Sequence, residues 1–430
     1  MPIVLYLIKS YFLTPKVNKN HLSTFYKNIL IMFKGTLIAQ IIAVISSLFI
    51  AKIYGSEAYG ILSVFIGFSS ILSVLNSLQL DNYIVTCKEE FTRNHWFNFL
   101  FILIPVMTVI GTLVLLPFYI IFFDKGMDFN VLMLALLSAI LLSYNKTHEF
   151  FLTSNKNFSS ISFAKILLVL INVFFQFAFY IKYSLYGLVY SSFISLLIVT
   201  LYFSFKNKNY FNAIDFKIIK TNLSFNSSIM TFLLPSRFIN NLASQSIPLF
   251  IFAFFSLKDA GVYFFSQKIL TMPLFIISSS ISTVYFEKAS SLMNTSKKEL
   301  LKTTKKIIRF NVGTMFLFLV LMNTLGIYLL EMFLTDNWVN LRKYLLLLSF
   351  LVLSRSSFSP ISNIIVVLDK NNISLLFNAI LLVINCIAFY IGFIMHELTY
   401  TIYILSFLGG IAYLILTLYF LKIIKKQSYS

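Results

Sequence analysis

Charge is what this sequence has least of. Only 11% of its 430 residues are Asp, Glu, Lys or Arg, and just 15 are acidic, where a typical soluble domain carries about 25% charged residues. With 59% hydrophobic residues and a mean hydropathy of +0.87, a water-soluble fold would not have enough polar surface to cover itself. Cysteine is nearly absent: Cys87 and Cys386 are the whole supply, which excludes a disulfide framework and a CxxC redox or zinc motif. Histidine is equally sparse. His21, His95, His148 and His396 are scattered without HExxH or HxxxH spacing, so no metal site, no Cys/His nucleophile and no cofactor is expected. The apolar stretch Ile3 to Ile8 has no positive leading region and no small-residue cleavage site, and Lys9 and Lys16 follow it; it does not read as a signal peptide.

What the chain does have is near-continuous apolar runs of the ~20 residues that one helix needs to cross a hydrocarbon core. They do not alternate, which rules against a membrane barrel, and in lipid the remaining way to satisfy every backbone group is the helix. Spans are predicted near 28–50, 58–80, 96–122, 129–152, 157–181, 184–206, 223–256, 260–293, 305–334, 341–368, 371–395 and 398–421. The expected class is therefore an all-α integral membrane protein of about 12 transmembrane helices in two six-helix lobes. The chain divides into an N-terminal segment 1–27, an N-lobe 28–206, a connector 207–222 and a C-lobe 223–424.

With both termini placed in the cytoplasm, the inner segments hold 23 Lys and Arg and the outer segments six. That asymmetry is the positive-inside rule. It accounts for most of the net charge of +19 and makes a nucleic-acid partner unnecessary. The two halves carry a trace of repetition at an offset of 201 residues: Leu48-Phe49-Ile50 recurs as Leu249-Phe250-Ile251, and Gly60 as Gly261. Each match ends one span and opens the next through a short turn, Tyr54 to Ala58 in one half and Ser256 to Ala260 in the other. Parallel repeats of this kind are a recurrent transporter plan.

Five cations remain inside predicted spans: Lys34, Lys165, Arg237, Lys268 and Arg355. A Lys or Arg at a span centre costs about 2.5–3.5 kcal/mol on insertion scales and calls for a partner, a water-filled cavity or a path to the interface. All 15 acids are expected in loops or near span ends, with Glu149 and Glu331 closest to membrane depth. Lys34, Lys165 and Lys268 are near enough to span ends to snorkel, whereas Arg237 and Arg355 fall near mid-span. Arg237, Asn241 and Gln245 recur at i, i+4 and i+8, and Lys165, Asn172 and Gln176 at i, i+7 and i+11, so each set lies on one helix face. Interhelical hydrogen bonding would explain the amides but not the cations. Pro235, Pro248 and Pro273 interrupt the seventh and eighth spans, and Ser359-Pro360 the tenth, as hinges or cavity walls would require. A cavity with several cations and no acid suits an anion, phosphate above all, because Arg contacts it bidentately.

The stretch Phe33-Lys34-Gly35-Thr36-Leu37-Ile38-Ala39-Gln40, followed by Ala51-Lys52-Ile53-Tyr54-Gly55-Ser56-Glu57-Ala58-Tyr59-Gly60, resembles the opening of the O-antigen and polysaccharide flippases of the multidrug/oligosaccharidyl-lipid/polysaccharide (MOP) exporter superfamily. Leu234-Pro235-Ser236-Arg237-Phe238-Ile239-Asn240-Asn241, Asp259-Ala260-Gly261-Val262-Tyr263 and Gln267-Lys268-Ile269-Leu270 resemble later parts of it, so the likeness runs from about 28 to 424. It implies a non-enzymatic protein of the cytoplasmic membrane that moves an undecaprenyl-pyrophosphate-linked oligosaccharide between leaflets by alternating access, its polyprenyl tail staying among the membrane lipids. Arg237 and Arg355, helped by Lys34, Lys165 and Lys268, would attract the pyrophosphate, and Asn241, Gln245, Asn172 and Gln176 would line the path. The resemblance also implies a polysaccharide polymerase and a chain-length regulator as partners and H+ or Na+ as a coupling ion. Two rivals differ by visible features. A cation-coupled multidrug antiporter resembles its relatives in using a membrane-embedded acid, and no central one is expected here. A polymerase would carry a large outer loop, and every predicted outer loop is short.

Overall fold

A computed structural model describes residues 19–427 apart from 88, 125, 212–213, 217–218, 220–233, 335–336 and 369. Most of the expected segment 1–27, the end of the connector and the start of the seventh span thus lie outside the described residues. The described backbone is helical: α1 Lys19–Asn76, α2 Asp81–Thr86, α3 Glu90–Asp124, α4 Phe129–Ser154, α5 Phe158–Tyr180, α6 Gly187–Lys206, α7 Leu234–Phe254, α8 Leu257–Thr295, α9 Lys297–Leu321, α10 Ile327–Phe333, α11 Leu341–Phe358, α12 Ile364–Val367, α13 Asn371–Ile394 and α14 Leu398–Gln427.

Among the described residues, ten helices are long and apolar enough to cross a membrane. Two details reconcile them with the twelve expected spans. Helix α1, at 58 residues, would extend for about 87 Å if straight, nearly three times the ~30 Å hydrocarbon thickness. It breaks at Gly55, whose φ of 75° is a left-handed conformation that glycine adopts freely. The Tyr59 hydroxyl donates to the Ser47 carbonyl across this break, a reach that is possible only if the two arms fold back on each other. The second detail is α7, which falls outside the ten because its Arg, Asn, Ser and Gln dilute its hydropathy while its 21 residues still span the core.

The outward faces confirm that lipid is the solvent. Along α3, Ile102, Val106, Val109 and Leu113 form a ridge of apolar side chains that are 51–65% exposed, a pattern water would penalise. Inside, α1 packs on α3, α4, α5 and α6, while α8 packs on α7, α9 and α11 and α14 packs on α11 and α13, giving two halves joined chiefly where α1 meets α7 and α8. Pro248 and Pro273 sit within continuous helices. Among the described residues the expected interruption appears at Ser359-Pro360, where α11 tightens into a 3-10 turn, Ser359–Ile361; the stretch leading into Pro235 lies outside the described residues.

Candidate functional site

The two halves meet most closely at the Gly55 end. A Cβ on Gly60 would stand 2.0 Å from the Leu257 carbonyl oxygen, and one on Gly261 would stand 1.8 Å from that of Ser56. The glycines that repeat at an offset of 201 residues are therefore reciprocal partners, each clearing space for the other half's backbone. Around them Ser56 Oγ donates to the Asn337 carbonyl at 2.6 Å and Trp338 Nε1 to the Ala51 carbonyl at 3.3 Å. Tyr59, Phe265 and Trp338 interlock edge to face and tilted, with centroids 4.6–5.4 Å apart, and all three are buried. This end is sealed by apolar packing.

Lys268 stands beside that seal, and the other four cations lie away from it. At ~1.5 Å per residue along each helix, Arg355 lies about 21 Å, Lys165 about 23 Å, Arg237 about 26 Å and Lys34 about 30 Å from the seal end of its helix. Lys268 holds its ammonium over the Tyr59 ring, 5.9 Å from the centroid, which offsets part of its desolvation. Arg355 is exposed in the last turn of α11. Lys34 is exposed on α1, next to Gly35, where α1 approaches Ser162 of α5 closely. None of the five has a carboxylate at ion-pair distance among the described residues.

Arg237 stands in the first described turn of α7, and it reaches across to the other half. Its Nη1 donates to Gln79 Oε1. Gln79 belongs to a turn that follows α1, in which Leu78 (φ 48°) and Gln79 (φ 59°) are both left-handed, an uncommon state for side chains larger than glycine. The turn sends the chain back into the protein. Asp81, the next acid, is fully buried at the start of α2, where Lys146 of α4 pairs with it at 2.9 Å and Asn82 Nδ2 donates to it at 3.2 Å. Lys146 also approaches Gln79 Oε1 at 3.5 Å.

Beside this cluster is a cavity of about 290 Å³ lined by Ser73 of α1, Asn145, Lys146 and Glu149 of α4, and Lys165 of α5, with apolar walls from α5 and α6. Two expectations sharpen here. Asp81 stands at a span end as expected, yet it is buried, because the left-handed turn folds it inward. Lys146 is not a solvated flank but lines the cavity with Lys165. The missed residues are Gln79, Asp81 and Lys146; Glu149, singled out as an acid close to membrane depth, is on the cavity wall, and its i, i+3 spacing from Lys146 on one helix face was a signal for the lysine.

The amide stripes divide. Asn241 Oδ1 and Asn172 Oδ1 are buried without a hydrogen-bond partner among the described residues. Gln176 is buried where its carbonyl accepts the Tyr54 hydroxyl at 2.6 Å, and the Gln245 backbone lies against Gly67 of α1. These two glutamines are on helix contacts.

Residues 49–343 match the family model described as "Polysaccharide biosynthesis protein". The chain belongs to that family. No protein of curated function matches it. Among solved structures it is similar to an inward-facing conformation of a multidrug resistance MATE family transporter of the MOP superfamily, with a TM-score of 0.64 at 14% identity, over 92% of this chain and 96% of that one. The outward-facing conformation of such a transporter gives 0.51 at 16% identity, over 93% and 96%. A MOP superfamily transporter from Pyrococcus furiosus, described as having a binding pocket of reverse polarity that suggests a different function, gives 0.51 at 15% identity, over 94% and 96%. The family member described here thus has the MATE-type fold, with Arg237 tying the halves away from the glycine seal and Lys268 against the seal itself.

Proposed function

We propose that this polysaccharide biosynthesis family member is a flippase for polyprenyl-pyrophosphate-linked oligosaccharide in the cytoplasmic membrane. The observation that carries the reading is a cluster of cations around one ion pair: Arg237 of the second half reaches Gln79 of the first, beside Lys146, which pairs with Asp81 and lines a cavity with Lys165. A diphosphate offers several charge-assisted acceptors to such a set, and an Arg can grip it bidentately.

Alternating access follows from the two contacts between the halves. In this conformation the Gly55 end is sealed by packing and the Arg237 end is held by a polar tie. Placing both termini in the cytoplasm by the positive-inside rule makes the tied end the cytoplasmic one. In this proposal the N-lobe and C-lobe, 28–206 and 223–424, are the moving bodies. The glycan and diphosphate cross between them while the polyprenyl chain remains in lipid, with H+ or Na+ as candidate coupling ion.

The rival multidrug antiporter gains from Asp81, a buried carboxylate of the type it would need. Lys146 neutralises that carboxylate at 2.9 Å, which favours the anionic reading. The test is leaflet-specific detection of lipid-linked oligosaccharide in depleted cells. Loss of outer-leaflet delivery, restored by the wild-type chain but not by Arg237→Ala or Arg355→Ala, is the expected result. Undisturbed delivery on depletion would remove the flippase reading.

A further inference from the structure

The Oε1 atom of Gln79 sits where an anionic oxygen would be better accommodated. Arg237 Nη1 donates to it at 2.5 Å, Lys146 Nζ stands 3.5 Å away, and Asn82 Nδ2 donates at 3.4 Å. Two full positive charges and an amide N–H thus converge on one neutral amide oxygen. Such an oxygen has two lone pairs and is a weaker partner for a guanidinium than a carboxylate or phosphate oxygen. The backbone of Gln79 is anchored, while within its own half its side-chain amide is held only by longer contacts. Gln79 is fully buried, its left-handed backbone is fixed by Asn82 Nδ2 donating to its carbonyl at 2.8 Å, and its Nε2 reaches the Val74 carbonyl at 3.4 Å.

The same oxygen joins the two halves of the molecule. Gln79 and Lys146 belong to the first half and Arg237 to the second, so whatever replaces Gln79 Oε1 on Arg237 also breaks the tie between them. We propose that Gln79 is a place-holder for a phosphate oxygen on Arg237: it keeps Arg237 oriented while the site is empty, and a phosphate group of the cargo takes Arg237 from it while Lys146 stays paired with Asp81, which releases this tie between the halves. Asp81 takes part by holding Lys146 in place. This rests on the reading of the cargo as a phosphate-bearing anion, and it adds a positioning residue that couples binding to movement.

The test uses the full chain in lipid nanodiscs with Cys87 and Cys386 changed to Ser, spin labels at Val85 on α2 and Leu376 on α13, both exposed, and inorganic pyrophosphate as the probe. In the otherwise unaltered protein, pyrophosphate should bind and shift the distance distribution between the labels. Gln79→Glu should weaken pyrophosphate binding about tenfold or more, because a carboxylate competes for the same cations, and should suppress the shift. Gln79→Leu should show the shifted distribution without any pyrophosphate. If pyrophosphate binds the unaltered protein and loses affinity on Arg237→Ala, yet neither substitution at position 79 changes the distances, the place-holder is refuted and the anionic cargo stands. If pyrophosphate does not bind the unaltered protein, both readings fall. Gln79→Leu preserves side-chain size without charge, so it serves as the readout should Gln79→Glu not fold.

Discussion

The glycine seal makes a prediction that can be worked from distances. In Gly261→Ala the new methyl would start 1.8 Å from the Ser56 carbonyl oxygen and 2.7 Å from the Gly60 nitrogen, both backbone atoms that no rotamer change can move. Ordinary contact needs about 3.4 Å, so the halves must part by roughly 1.5 Å at this end, and overpacking of that kind costs ~1–3 kcal/mol. The penalty falls only on the conformation in which this end is closed. It therefore shifts the closed-to-open equilibrium by roughly 5- to 150-fold. Ser56→Cys, buried here, would report the shift through its rate of reaction with a membrane-impermeant maleimide, in a background with Cys87 and Cys386 changed to Ser. Labelling should accelerate by a factor in that range when Gly261→Ala is added. Gly60→Ala should act similarly, because its methyl would meet the Leu257 carbonyl oxygen at 2.0 Å. A rate within twofold of the parent, in protein that still melts cooperatively, would refute the claim that this crossing is the closed door.

Other consequences follow from single contacts. Asp81→Ala should lower stability by about 1–3 kcal/mol, less than the ~3–5 of a fully buried broken pair because Lys146 is 34% exposed; thermal melting should show the loss, and adding Lys146→Met should recover part of it. Gly35→Ala should destabilise by ~1–3 kcal/mol, since its methyl would lie 1.7 Å from Ser162 Oγ, and Ser162→Gly should relieve that cost in a double-mutant cycle. Arg342→Ala, which breaks the exposed pair with Glu331 at 2.5 Å, should change the melting temperature little, as surface pairs contribute ~0–1 kcal/mol. Lys268→Met should leave melting near the parent while reducing export in a complementation assay; full export would detach Lys268 from the transport path.

The membrane helices were legible in the sequence because length and hydropathy are local properties. Even α7, Leu234–Phe254, falls within the apolar run expected at 223–256. The repeat of Gly60 and Gly261 was legible as a pattern, though not as a mutual contact, since its meaning depends on how the halves dock. The site was legible only in part. Arg237, Lys165 and Lys268 stood out as cations within apolar runs. Gln79, Asp81 and Lys146 did not, because they lie at span ends, where charge is cheap and common. What brings them inside is a pair of left-handed residues, Leu78 and Gln79, that carry neither of the usual marks of such a turn, glycine or asparagine. His148 shows the same limit. It looked isolated, yet it is fully buried with Asn207 and Ser204 on its two ring nitrogens at 2.9 and 3.3 Å, partners that only the fold supplies.

The two ends of the molecule close by different physics, and so they should answer to different conditions. The Gly55 end closes by dry contact of backbone and aromatic rings, which ionic strength scarcely touches but which cooling weakens as apolar association fades. The Arg237 end closes through charge on a single oxygen, a bond that mobile ions can weaken where water reaches it. Salt and temperature are then two separate handles, each able to bias one door while leaving the other nearly as it was.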